Sequence, residues 1–431
     1  VARYYQGKIS MDTFHIEGPV RLEGTIDISG SKNASLPIMA AAILAPGTTI
    51  LRGVPRLSDI SVLKQLLERL GAKVDRDNGD WQIDTSRIDN PVGEYEILRK
   101  MRAGICILGP LVARCGRAEV SMPGGCAIGD RPVDIHLHGM RELGAKIYLE
   151  NGNIVATAEG GLRGKRIFLG GPFGSTVLGT ANVLMAATLA KGTTVIESAA
   201  CEPEIEDLAN CLNAMGAKIS GIGSPRLTVE GVTSLRPVEH RVIEDRIEAG
   251  TFMVAAGITG GRLRLRNCRL EHLLAVVDRL ERIGVTVEAT EDGCVVTRTG
   301  RIKPADVTTQ PYPGFPTDLQ AQLMAMLALA DGNSVITEKI FPDRFMHVAE
   351  LNRMAANLRK EGPSVIVAGV QRLIAAPVMA SDLRASAALV LAGIAARGKT
   401  IVNRVYHIDR GYERIEEKLN AAGAKILRKS E

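Results

Sequence analysis

The most specific chemistry in the sequence sits on a glycine-rich loop. Cys126 stands in Pro123-Gly124-Gly125-Cys126-Ala127-Ile128-Gly129, and Asp130-Arg131-Pro132-Val133-Asp134 follows directly. Glycines on both sides of a thiol let a ligand come close to the backbone, and such loops commonly carry function. A neighbouring guanidinium lowers a thiol pKa, so Cys126 beside Arg131 is expected to be a reactive, nucleophilic thiol. An incidental loop thiol is the plain alternative. Cys115, just before Gly116, reads as a packing residue at a helix end.

Charged residues gather at other element ends. Lys32, in Ser29-Gly30-Ser31-Lys32-Asn33, opens an alanine-rich helix, where its ammonium and the free N–H groups suit an anion. Arg102 enters a small-residue helix after Arg99-Lys100-Met101. Asp318, in Phe315-Pro316-Thr317-Asp318, starts a Met/Leu/Ala helix, either as a cap or as a general base. Asp382-Leu383-Arg384-Ala385-Ser386 stands at the equivalent helix start one repeat later, and His407-Ile408-Asp409-Arg410-Gly411 follows it. Each charge alone fits a solvated surface. Lys32, Arg102, Arg131, Arg384 and Arg410 together fit a cleft for small anions.

The elements that must hold these residues repeat six times. A helical run ending in a Gly-Ala pair before a β-type run occurs at Gly71-Ala72, Gly144-Ala145, Gly216-Ala217 and Gly423-Ala424, weakly at Gly284-Val285, and in degenerate form at Ala355-Ala356. A second marker keeps the same phase: alanine-rich helices are expected to end at Gly47, Gly116, Gly192, Gly261, Gly332 and Gly398, each glycine serving as left-handed C-cap. Each unit of roughly 70 residues reads as strand, helix, strand, helix and further strands. Three units suffice for one lobe, so six imply two lobes with a cleft; a solenoid of stacked units is the other arrangement such repetition allows.

Composition narrows the function. The net charge of +5 is small and its basic residues are dispersed, without interleaved aromatics, which excludes a nucleic-acid groove. Seven scattered cysteines with no C-x-x-C argue against a disulfide framework or a zinc site and fit a reducing cytoplasm. The apolar stretches are too short to cross a bilayer. Residues 1–10 lack a signal-peptide core, and Met11 reads as the natural start, with 1–10 a tag or upstream extension.

With these motifs assembled, the chain from Met11 onward resembles the UDP-N-acetylglucosamine 1-carboxyvinyltransferases of the EPSP synthase-like enolpyruvyl transferase family. Gly30-Ser31-Lys32-Asn33, the Cys126 loop, Phe315 to Asp318, Arg344-Phe345-Met346-His347, Asp382 to Ser386 and His407 to Arg414 carry the likeness in order. It implies an α/β fold of two inside-out α/β barrels, each lobe with pseudo-threefold symmetry over three units. One lobe would span 32–243, the other 11–31 plus 244–431. It implies enolpyruvyl transfer from phosphoenolpyruvate to the 3′-hydroxyl of UDP-N-acetylglucosamine, with no metal or organic cofactor. Asp318 would take the hydroxyl proton, and Cys126 would protonate the methylene carbon. Lys32, Asn33, Arg131, Arg384 and Arg410 would hold phosphoenolpyruvate. Asn33, Arg102, Arg131, Pro132, Val133, Asp134, Ile135, Ser175, Thr176, Val177, Glu202, Asp318 and Ile340 would face the sugar nucleotide. One departure is Thr176-Val177-Leu178-Gly179-Thr180, where the family usually has Ser-Val-Gly-Ala-Thr. A paralogue using another nucleotide sugar and an EPSP synthase are the rival enzymes; Cys126 and the lack of a Gly-Asn-Ala-Gly-Thr motif argue against the latter. A silent binding protein on the same scaffold is disfavoured by Lys32, Cys126, Asp318 and Arg410 together.

Overall fold

The computed structural model describes residues 12–122 and 133–430, and the backbone of residues 4–5 and 8–9. Cys126, Arg131 and Pro132 therefore lie outside the described residues.

Two kinds of helix alternate along the chain. The alanine-rich ones are α1 (Lys32–Ala41), α4 (Leu108–Cys115), α6 (Val177–Ala187), α8 (Arg246–Thr259), α10 (Gln320–Leu327) and α12 (Leu383–Ala395). They are apolar nearly all round, which requires burial on every side, and their small residues let neighbours such as α10 and α12 pack closely. The amphipathic ones are α2 (Ser58–Arg69), α5 (Asp134–Glu142), α7 (Pro203–Ala214), α9 (Leu274–Ile283), α11 (Met346–Arg353) and α13 (Ile415–Ala421). In α9 the buried residues are Val276, Leu280 and Ile283, a single stripe at helical spacing. A short α3 (Tyr95–Leu98) stands apart from both sets.

Among the described residues, six four-stranded sheets flank these helices, and all share one order: a parallel edge pair, then two antiparallel pairs. In the first, Glu239–Arg241 runs parallel to Thr48–Arg52, which pairs with Asp80–Asp84 and then Lys73–Asp77. Alternation sets each strand's faces: in Arg262–Arg266, Leu263 and Leu265 point inward and the arginines outward. The sheets are open, and no closed barrel occurs among the described residues.

The chain divides into two compact units, one from Gly30 to Ile243 and one joining the residues up to Ser29 with Glu244 onward. Each has its own apolar core, the first running from Ala34 to Val242 and the second centred on Phe14, Phe252 and the α10 and α12 residues. The N-terminal strand Asp12–Gly18 explains the second boundary. It lies between Gly398–Asn403 and Ile426–Ser430, filling the place that a hairpin strand takes in the other sheets. A buried cluster fixes the next stretch: Lys418 Nζ donates to Glu248 Oε1 and to Ser29 Oγ, both at 2.7 Å, and Ser29 N donates to Glu248 Oε2 at 2.6 Å.

The glycine caps need correction. Of the six expected, only Gly116 caps its helix in the left-handed region (φ 70°). Gly260, not Gly261, caps α8. Gly47, Gly192, Gly332 and Gly398 do adopt positive φ, but they lie past the helix end, where the next strand begins. Cys115 is also corrected. It is exposed, because burial along α4 stops at Val112, before the helix does.

The Gly-Ala marker is a backbone requirement. Gly71, Gly144, Gly216, Gly284 and Gly423 all have φ between 93° and 107°, and the degenerate copy places Ala355 at φ 64°. A Cβ in that region costs about 1–2 kcal/mol, against about 0.5–1 kcal/mol of extra chain entropy for glycine. Ala355→Gly is therefore expected to stabilise the chain by about 0.5–1 kcal/mol. Urea unfolding checks this, and a lower midpoint for the variant would refute it.

Candidate active site

The unit carrying Glu244 onward holds a buried charge network around Asp318. Asp318 sits in a 3-10 turn, Thr317–Leu319, that leads into α10. Its Oδ1 accepts from Arg344 Nη1 at 2.8 Å and its Oδ2 from Arg384 Nε at 3.2 Å. Both guanidiniums are almost wholly buried, at 8% and 1% side-chain exposure, while Asp318 keeps 27%. The carboxylate is thus oriented by two buried guanidiniums while part of it reaches the surface.

Each arginine is itself held. Arg384 lies in the first turn of α12, whose N-cap Asp382 accepts from Arg384 N at 2.9 Å and Ala385 N at 3.1 Å. The Tyr412 ring lies 5.2 Å from Arg384 Cζ, and its hydroxyl is bonded to Thr251 Oγ1 (2.8 Å) and Gln322 Nε2 (3.2 Å). Burial works against the Arg384 charge, but Tyr412, Asp318 and Asp245 outweigh it, so its pKa rises above the ordinary arginine value. Arg384 Nη1 is buried with no hydrogen-bond acceptor among the described residues. An anionic ligand would satisfy it. Arg344 also donates to Thr317 Oγ1 at 3.1 Å.

Glu338 ties a second expected residue to this network. Fully buried, it accepts from Thr317 Oγ1 (2.8 Å), Thr309 Oγ1 (2.6 Å) and the backbone N–H groups of Ile340 (2.8 Å) and Phe341 (3.0 Å). One carboxylate thereby fixes both the Asp318 turn and the Ile340 loop. Arg410 is half-buried at the end of the 3-10 segment Val405–Arg410, two residues before Tyr412. His347 is buried between Asp382 and Arg344, and neither ring nitrogen has a partner among the described residues. Burial, reinforced by Arg344 and only partly opposed by Asp382, lowers its pKa to about 4.

In the Gly30–Ile243 unit, the expected residues occupy helix starts. Ser31 caps α1, accepting from Ala34 N at 3.2 Å, and Lys32 and Asn33 follow in the first turn. A Cβ on Gly30 would come within 1.9 Å of Gly53 O, so only glycine permits that approach. Lys32 Nζ lies 3.3 Å from the buried Asp59 Oδ2, which steadies the ammonium. Arg102 opens the 3-10 segment Arg102–Ile107, beside buried His136. His136 Nδ1 meets Asn182 Nδ2 at 2.9 Å, and Asn182 also bonds Ile105 O and Gly109 N, each at 2.9 Å. Burial first, and then Arg102, lowers the His136 pKa to about 4.

Val133 is buried ahead of α5, Asp134 is exposed in its first turn, and Ile135 is half-buried against the core. Ser175 lies in the short strand Gly174–Ser175, and Thr176 caps α6 by accepting from Gly179 N at 3.3 Å. Val177 and Leu178 pack partly against the core. Glu202 occupies the N-cap position of α7 without capping it. Asp318, Arg384 and Ile340 thus fall in one network. Lys32 is joined to Asp59, and Arg102 to the His136–Asn182 group.

Sequence reasoning did not find Asp59, Glu338, Gln322 or Thr251. Arg344 stood inside a noted motif, but nothing local indicated that it binds Asp318.

Each compact unit carries buried charged groups at helix starts, and the sequence matches one family of transferases. Residues 16–419 match the model of EPSP synthase (3-phosphoshikimate 1-carboxyvinyltransferase). The chain belongs to this family of carboxyvinyl transferases. Within it, the chain is 53% identical over 418 residues to UDP-N-acetylglucosamine 1-carboxyvinyltransferase of Methylacidiphilum infernorum, covering 97% of this chain and 99% of that one. It is 54% identical over 420 residues to the enzyme of the same name from Granulibacter bethesdensis, with the same coverage. The crystal structure of the enolpyruvyl transferase NikO from Streptomyces tendae superposes with a TM-score of 0.87 at 24% identity, over 98% of this chain and 100% of that one, a likeness of fold.

Proposed function

We propose that the chain transfers the enolpyruvyl group of phosphoenolpyruvate to the 3′-hydroxyl of UDP-N-acetylglucosamine and releases phosphate, in the cytoplasm, as the first committed step of peptidoglycan synthesis. The observation that carries this is identity of 53–54% over nearly the whole chain to enzymes of that name. No helix among the described residues is long and apolar enough to cross a membrane. The finer architecture is proposed with it: two inside-out barrels of three units each, supported by six sheets of one strand order.

In this reading the hydroxyl oxygen bonds to C2 of phosphoenolpyruvate, its proton passes to Asp318, and Cys126 delivers a proton to C3. The C2–O bond to phosphate then breaks and C3 loses a proton, which regenerates the double bond. Lys32, Arg131, Arg384 and Arg410 neutralise the phosphate and carboxylate while Asn33 adds a hydrogen bond, and fixed groups of this kind stabilise the transition state without reorganising. Asn33, Arg102, Arg131 to Ile135, Ser175 to Val177, Glu202 and Ile340 take the sugar nucleotide. Leu178 stands where relatives usually have glycine, yet its side chain packs on the core and Thr176 still caps the helix, which supports keeping the nucleotide sugar as substrate.

The test is phosphate release from phosphoenolpyruvate with UDP-N-acetylglucosamine against shikimate-3-phosphate. Turnover with the first is expected; turnover only with the second would sink the reading. Fosfomycin, in the presence of the sugar nucleotide, is expected to inactivate the chain by alkylating Cys126. Burial pushes the Cys106 and Cys211 thiols up to about 12, so neither competes. Exposed Cys115 is the internal control. Peptide mass mapping that finds Cys126 unmodified, or Cys115 modified equally, contradicts the role given to Cys126.

A further inference from the structure

We propose that Arg428 is a positioning residue that holds the Asp409–Arg410 turn in shape and thereby sets the affinity for phosphoenolpyruvate, an inference that rests on the role given to Arg410 above. Arg428 lies on the strand Ile426–Ser430, opposite Phe14 of Asp12–Gly18, with its guanidinium 4.9 Å from the Phe14 ring. All three guanidinium nitrogens are engaged. Nη1 and Nη2 form a fork on Asp409, at 2.9 Å and 2.6 Å. Nε donates to Glu416 Oε1 at 2.7 Å, and Nη1 also reaches Asp12 Oδ2 at 3.1 Å. One cation thus gathers three carboxylates from three separate segments. At 27% side-chain exposure it is better shielded from water than an ordinary surface pair, so these bonds are screened less.

The consequence falls on Arg410. Asp409 immediately precedes it, at the end of the 3-10 segment Val405–Arg410. Tyr412, two residues after it, is anchored by Thr251 and Gln322. Arg410 therefore lies in the chain between Asp409, which Arg428 grips, and Gly411, which leads to the anchored Tyr412. A 3-10 turn has poor hydrogen-bond geometry of its own. Flanking it, His407 N donates to Arg404 O at 3.2 Å and Gly411 N and Tyr412 N to Ile408 O, each at 3.0 Å, while Val405 and Ile408 are buried in the core. Among these restraints, the Arg428 fork is the one that acts directly on Asp409, next to Arg410. The planar fork on Asp409 sets an angle as well as a distance, which a lysine cannot reproduce.

The alternative is that Arg428 merely seals the sheet edge. Kinetics of the full chain separate the two. Arg428→Met is expected to raise KM for phosphoenolpyruvate at least tenfold and to leave KM for UDP-N-acetylglucosamine within about twofold; Arg428→Lys recovers part of the loss. In an Arg410→Ala background, Arg428→Met should add less than about twofold, because the side chain it orients has gone. An equal factor on both backgrounds, or parallel rises in both KM values, would overturn the proposal. Amide hydrogen exchange over residues 405–412 reads the anchor without any substrate: faster exchange in Arg428→Met is expected, and unchanged exchange overturns it. Should Arg428→Met not fold, Asp409→Asn removes the fork while sparing Asp12 and Glu416, and is read the same way. An unmutated chain inactive with both substrates would sink the functional reading alone, since the exchange measurement still decides the anchor.

Discussion

Asp318→Asn is expected to lower kcat by about 10²–10⁴-fold, the usual contribution of a positioned general base. The substitution changes one atom, and the geometry makes it severe. Asp318 Oδ1 and Oδ2 each accept from a different buried guanidinium. Asparagine supplies one acceptor and one NH₂ group, so whichever way it turns, a donor faces either Arg344 or Arg384. Each hydrogen bond to a charged group is worth about 1.5–3 kcal/mol. Asp318 keeps 27% exposure and the pair is partly screened, so the low end applies, about 2 kcal/mol of stability. Steady-state phosphate release and thermal unfolding check the two effects together. A kcat within tenfold of the unmutated chain would sink the assignment of Asp318 as base. A melting temperature unchanged beside a large kcat loss would mean that the arginines find other partners.

The positions of the charges were legible in the sequence, but their partners were not. Lys32, Arg102 and Arg384 stand at element starts as their local sequences indicate, because caps and small-residue runs are read within a few residues. Asp59 meets Lys32 across 27 residues, Arg344 meets Asp318 across 26, and Arg428 meets Asp12 across 416. Only tertiary packing makes such pairs. The glycines illustrate the same limit in the backbone. Positive φ was readable at Gly398, but whether it ends a helix or opens a strand depends on where the helical bonds stop. In α12 they stop at Ala395, and Gly398 already belongs to the strand Gly398–Asn403. Burial of Cys115 was misjudged for a related reason, since the helix outlasts the core it packs on.

At three of the expected positions the residue is fixed by a more deeply buried charged group. Asp59 stands behind Lys32, Arg344 and Arg384 behind Asp318, and Glu338 behind Ile340. The chemistry asks for this. A cation meeting a multiply charged substrate must not swing with it, or the electrostatic gain is lost to reorganisation.

The same burial makes the chain acid-sensitive. His136 and His347 both stay neutral in the folded state, with pKa values lowered to about 4 from an ordinary 6.5. Below about pH 6.5 the unfolded chain binds protons at these rings that the folded chain refuses. Stability is therefore intact above that pH, falls as pH drops from 6.5 towards 4, and levels off once the folded rings also protonate. Each ring accounts for a loss of about 3 kcal/mol by pH 4. The two lie in different compact units. Exposed pairs such as Arg266–Asp27 add little to this slope. His136 accepts from Asn182, so His136→Asn preserves an acceptor without titrating, whereas His347 has no hydrogen-bond partner among the described residues and His347→Phe suffices. Urea unfolding between pH 7 and pH 4.5 is expected to show a shallower loss for each variant than for the unmutated chain. A slope identical to that of the unmutated chain in either variant would show that the ring is not the group that titrates.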